Sequence, residues 1–183
     1  MFVHKDAPDT YGWTKLVALK NLPFTIVDDP IIRSAIRYKV MDRATLLKRM
    51  VALVGVVYTN SAEELAGEKF ALVFDGLTDS AGYAIAFFAA TKQGLRFLAF
   101  SPMVSWGGPK SKFIDTKWIP ATSEAVERFF STVKSTVGYM RKSMSQENLE
   151  VIIFLKLNWD IVTLADVSKA IQESRSNTDA EQE

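Results

Sequence analysis

The sequence predicts an α/β chain in which a helical lead-in is followed by a three-stranded antiparallel meander and then by further helices. Three observations predict it. Apolar residues recur at spacings of three and four before Tyr58, short continuous apolar runs separated by turn residues begin at Phe70, and helical spacing returns after Pro120.

In the lead-in, a helix from Trp13 to Leu22 is expected to stop before Pro23, whose ring clashes inside a helix. Asp29 followed by Pro30 reads as an N-cap with proline at the first helical position, opening a helix that reaches Tyr38. From Arg43 to about Tyr58, Leu46, Leu47, Met50, Val51, Val54 and Val57 form an apolar stripe, with Lys48 and Arg49 off it.

Phe70 to Leu77 is a continuous apolar run closed by the turn pair Asp75-Gly76, as expected of a strand covered on both faces. Gly82 to Thr91 supplies a second strand, and Leu95 to Phe100 a third after Gln93-Gly94. Residues 103–119 lack periodicity and contain Gly107-Gly108-Pro109, so they read as a joint. Its Lys110, Lys112 and Lys117 with Trp106 and Trp118 suit a solvated linker, with a basic, stacking nucleic-acid groove as the alternative. Ser123 then caps a helix whose stripe is Val126, Phe129, Phe130, Val133, Val137 and Met140. Ser145 caps a second helix ending near Asn158, and a third runs from Thr163 to about Gln172. The polar residues 174–183 are expected to form a disordered tail, and residues 1–12 an N-terminal arm.

Composition narrows the chemistry. With 48% hydrophobic and 11% aromatic residues among 183, there is enough apolar mass for a real core. Lys+Arg 22 against Asp+Glu 21 gives a net charge of +1, so nucleic-acid or membrane attraction must come from a local patch. Cysteine is absent and His4 is the one histidine, which excludes disulfides, thiol catalysis and zinc sites built from Cys and His clusters. Only a hard, oxygen-binding ion such as magnesium or manganese suits the remaining ligands. Neither a signal peptide nor an apolar run long enough to span a membrane is visible, so an intracellular chain without membrane contact is expected.

Residues 120–158, PATSEAVERFFSTVKSTVGYMRKSMSQENLEVIIFLKLN, resemble the C-terminal dimerisation region of hAT-superfamily transposases. The elements that carry the resemblance are Ser123, Glu127-Arg128, Phe130-Ser131, Arg141, Met144 and the run from Phe154 to Asn158. A second similarity lies between Leu16 and Phe100, where KLVALKNLPFTIVDDPIIR and FALVFDGLTDS resemble the entry to that family's RNase H-like catalytic domain. Leu77 stands where the family has tryptophan. The resemblance implies a partial, truncated RNase H-like fold. The long segment that separates Phe100 from Pro120 in the family is missing, as is the amino-terminal BED-type zinc finger.

In hAT transposases three carboxylates, Asp, Asp and Glu, hold two divalent metals, and the resemblance makes Asp75 the first acid and Glu127 the third. The second acid has no counterpart, because Asp115 lies in the joint without the family's context. The resemblance thus makes Asp75 and Glu127 vestigial metal ligands, and no cofactor is expected unless a replacement acid, Asp79 or Asp115, rebuilds a magnesium or manganese site for a small nuclease. The resemblance otherwise implies a transposase-like protein that no longer transposes and keeps dimerisation, with itself or with a related full-length transposase. Weak DNA binding and a nuclear location come with that reading. The dimer face is expected on Val126, Phe129, Phe130, Val133, Ile152 and Leu155.

Overall fold

The computed structural model describes residues 3–79, 82–103 and 144–180, with the backbone alone for 74–79, 82–85, 100–103, 146 and 177–180. Helices α1 (Ala7–Leu19), α2 (Pro30–Ala35) and α3 (Arg43–Leu65) precede strands β1 (Ala71–Asp79), β2 (Gly82–Thr91) and β3 (Gly94–Met103). Helices α4 (Gln146–Leu157) and α5 (Leu164–Ala180) follow. The architecture is thus mixed helix and sheet, with the three strands antiparallel in the order β1-β2-β3.

Helix α1 starts at Ala7 and not at Trp13, because Pro8 sits in the first turn, where a missing N–H costs nothing. Residues 7–12 are therefore no free arm; Ala7, Thr10 and Gly12 are buried. The helix stops at Lys20, and Asn21 takes a left-handed φ of 57°, a conformation that asparagine tolerates better than most residues. Asp29 caps α2 as its sequence predicts, accepting from the N–H groups of Ile31 at 2.8 Å and Ile32 at 3.3 Å. This helix ends at Ala35, short of Tyr38. The Tyr38 ring is drawn edge-on against Trp13 at 5.7 Å, and the Trp13 indole donates to the Lys39 carbonyl at 3.1 Å.

Asp42 caps α3 by accepting from both Thr45 groups, the N–H at 2.8 Å and the hydroxyl at 2.6 Å. The buried face is Leu46, Met50, Leu53, Val56, Val57 and Ser61, so the true stripe is rotated from the expected one and leaves Val51 52% exposed. It also carries the helix past Tyr58 to Leu65, because Ser61 and Asn60 lie against α5, where the Asn60 amide donates to Asp166 at 2.9 Å.

Strand β1 does not end at Asp75-Gly76. It continues through Gly76, which pairs with Ile85, to Asp79 opposite Gly82. A register shift between Phe87 and Phe88 leaves Leu98 as the extra residue of a bulge in β3. Beside it, Phe88 meets Phe97 at 5.3 Å, Phe97 meets Phe154 of α4 at 6.0 Å, and Phe154 meets Tyr58 of α3 at 6.5 Å. This aromatic chain fastens the sheet to the helices.

Helix α4 buries four consecutive residues, Ile152, Ile153, Phe154 and Leu155, among α1, α3 and β3. Thr163 and Asp166 then form a reciprocal capping box for α5: Thr163 donates from its N–H at 2.8 Å and its hydroxyl at 2.7 Å, and Asp166 N–H returns a bond at 3.3 Å. Helix α5 runs on to Ala180 where a disordered tail is expected from Ser174. That serine is only 7% exposed and donates its hydroxyl to the Ile171 carbonyl at 2.8 Å, so the helix still has a packed side at this point. No helix among the described residues is long and apolar enough to cross a membrane.

Phe154→Ala is expected to cost about 3 kcal/mol of unfolding free energy, since it empties the junction of sheet and helices. Val51→Ala is expected to change stability by less than about 0.5 kcal/mol. Urea titrations of the two variants check the rotated stripe; a larger loss for Val51→Ala would contradict it.

Candidate functional site

Asp75 lies in the middle of β1, opposite Ala86 on β2 and two residues along from Val73. Its side chain is outside the description, as are Glu127, Asp115 and residues 104–143 as a whole. The backbone still decides one question. A strand rises about 3.3 Å per residue, which sets Asp79 roughly 13 Å along β1 from Asp75. Ligands of one two-metal centre surround ions only about 4 Å apart, so Asp79 does not replace the missing acid as a neighbour of Asp75. The turn expected at Asp75-Gly76, which would bring Asp79 back towards Asp75, does not form, because Gly76, Leu77 and Thr78 keep their pairing with Ile85, Ala84 and Tyr83. Among the described residues no group of three or more His, Asp or Glu side chains is gathered as a metal site would need.

The C-terminal run Phe154-Leu155-Lys156-Leu157-Asn158 has a defined place. Lys156 donates from Nζ to Oδ1 of Asn21 at 2.8 Å, joining the end of α4 to the turn after α1. Asn158, fully buried, donates from Nδ2 to the carbonyls of Phe97 at 3.0 Å and Phe154 at 3.2 Å. The amide thus closes the last turn of α4 and ties it to β3 at the bulge. Of the residues expected at a dimer face, Ile152 and Leu155 are both 0% exposed within the single chain. They are core and not interface, because α1, α3 and β3 already surround α4. Val126, Phe129, Phe130 and Val133 lie outside the described residues.

Two charge clusters escape sequence reasoning, since their members are far apart along the chain. In the first, the Arg96 guanidinium grips both oxygens of Asp160 at 2.9 Å and Glu64 at 2.9 Å, bracing β3 against the end of α3 and the turn Trp159–Ile161. Burial opposes its charge, but the hydrogen bonds it donates to Glu64 and Asp160 outweigh that and hold its pKa above the ordinary value. A hollow of about 80 Å³ beside it, lined by Glu64, Glu68, Thr91, Gln93 and Asp160, is too small for an organic substrate.

The second cluster centres on Asp6. Its carboxylate meets Lys39 Nζ at 3.1 Å, Arg49 Nη2 at 3.5 Å and Arg175 Nη2 at 3.9 Å. Arg49 also donates to Thr10 Oγ1 at 2.7 Å. His4, which the sequence offers only as a terminal residue, donates its backbone N–H to Ser168 Oγ at 2.7 Å and accepts the Asp6 N–H on Nδ1 at 3.1 Å. The Lys39 hydrogen bond and the neighbouring cations hold the Asp6 carboxyl below its usual range, despite burial. Burial and then Arg175 push the His4 imidazole down.

Both shifts act in one direction. The fold favours neutral His4, so its contribution is whole above the ordinary value of 6.5 and is lost as pH falls towards the lowered folded value. The Asp6 contribution is whole above 3.8 and is lost as pH falls further. Thermal midpoints are therefore expected to drop in two stages on acidification. In His4→Asn, which keeps an acceptor near Nδ1 without titrating, the upper stage should flatten; an unchanged pH profile would show that His4 plays no part.

No family model matches this chain, and neither curated proteins nor solved structures yield a match.

Proposed function

We propose that this chain is an internally deleted hAT transposase-like protein that has kept protein association and does not transpose. The observation that carries the reading is the 2.8 Å bond between Lys156 and Asn21. Asn21 belongs to the lead-in segment KNLPF and Lys156 to the closing segment FLKLN, the two stretches on which the resemblance rests. A random fusion of unrelated pieces has no reason to bring two such segments into one polar contact. Further support comes from Asn158, the last residue of the closing segment, which grips β3 of the meander.

In this reading the meander is the first part of an RNase H-like sheet, Asp75 is a relic of its first acid, and Glu127 is a relic of the third. The missing second acid removes both charge and geometry from a two-metal site, so no phosphodiester chemistry remains. Association then rests on Val126, Phe129, Phe130 and Val133, with Ile152 and Leu155 supporting from within the core. The partner is a second copy or a related full-length transposase, and the place of action is the nucleus.

Size-exclusion chromatography with light scattering, over a concentration series, tests this. The expected result is a dimer that Phe130→Asp dissociates while far-ultraviolet circular dichroism stays unchanged. A strictly monomeric wild type at every concentration would remove the association. Leu155→Asp is expected to unfold the chain outright, since it places a carboxylate where the native side chain is wholly buried.

A further inference from the structure

The charges around Asp6 do not balance. Three cations, from three separate parts of the chain, converge on one carboxylate: Lys39 from the loop after α2, Arg49 from α3 and Arg175 from α5. None of the three makes another ion pair among the described residues. The cluster therefore carries an excess of two positive charges, on a chain whose whole net charge is +1.

Exposure divides the cluster into a buried floor and an exposed rim, and we refer to the two together as a cup. Arg49, with a side chain 12% exposed, and Asp6, at 10%, form the floor. Lys39 at 61% and Arg175 at 60% stand at the rim. Arg175 lies 3.9 Å from the carboxylate, beyond hydrogen-bond distance, so Asp6 does not use up the donors of its guanidinium fork. The floor is fixed, since Arg49 is held by Thr10 at 2.7 Å, and the segment bearing Asp6 is pinned to α5 through His4 and Ser168 at 2.7 Å.

We propose that this cup binds a phosphate-type dianion, free or as a monoester. The recognising chemistry is the rim fork of Arg175 and the ammonium of Lys39 above a buried, immobile Arg49. A dianion matches the two uncompensated charges, and planar guanidinium groups suit tetrahedral oxyanions. Asp6 acts here as a positioning residue, which holds the three cations together. The site shares no residue with Asp75 or with the proposed association surface, so its failure would leave the proposed function untouched.

The test measures thermal midpoints of the full chain in inorganic phosphate and in sodium chloride of equal ionic strength. Phosphate is expected to raise the midpoint beyond chloride, and Arg175→Gln with Lys39→Gln to weaken its apparent affinity by about tenfold or more. Both substitutions are at exposed side chains, so the double variant should stay folded; its own midpoint in chloride is the reference for its phosphate response. Equal midpoints in the two salts, or an undiminished phosphate response in the double variant, overturns the proposal. A short oligonucleotide with and without a 5′-phosphate separates the sources. Binding that depends on the terminal phosphate supports a monoester ligand. Equal binding of both forms, without any response to inorganic phosphate, overturns the dianion site in favour of simple backbone attraction.

Discussion

The structure depends on one constraint: α4 is apolar on every side around Ile152 to Leu155 and has to be enclosed. An ordinary amphipathic helix needs one neighbour; this one needs several. Helices α1 and α3 cover part of it and β3 covers another, so the sheet, the lead-in and the C-terminal helices become one core and not three. Burial of each large side chain is worth about 2 kcal/mol, and among the described residues this helix holds the longest unbroken run of buried apolar side chains.

Enclosing an apolar rod does not by itself fix its angle or depth. That is done by directional contacts at its C-terminal end. Asn158 spends its two amide protons on a β3 carbonyl and an α4 carbonyl, and Lys156 reaches the turn at Asn21. Arg96 adds a charged brace at the outer corner, with Glu64 and Asp160. Hydrogen bonds of this kind contribute only about 1 kcal/mol each, but a buried amide left unpaired costs more than that, so they select one arrangement among several of equal apolar area.

Much of this was legible in the sequence and some was not, for identifiable reasons. Local signals read well: Asp29-Pro30, Ser145 and Thr163 stand at helix starts, and the meander follows from three apolar runs with turn residues between them. Boundaries set by distant partners did not. Helix α3 outlasts Tyr58 because α5 arrives to cover Ser61, and α2 stops early because Trp13 claims the segment at Tyr38 and Lys39. Asp75-Gly76 has the composition of a turn, yet pairing with Ala86 and Ile85 keeps it in a strand. Ile152 and Leu155 were expected at an interface on the resemblance alone, and an apolar stretch does not name what covers it. The Asp6 cluster, joining positions 6, 39, 49 and 175, has no local signature at all.

The bond from His4 to Ser168 spans 164 positions, and that from Lys156 to Asn21 spans 135. On a ribosome, α1 and α3 emerge with their apolar stripes uncovered, and the helices that cover them follow only after the whole sheet has been made. The nascent chain therefore carries exposed Trp13, Leu46, Met50 and Leu53 until α4 and α5 have emerged. Closure of the core waits for α4 and α5 and is slowed by long loop formation, and the interval before it is when holdase chaperones have most to bind.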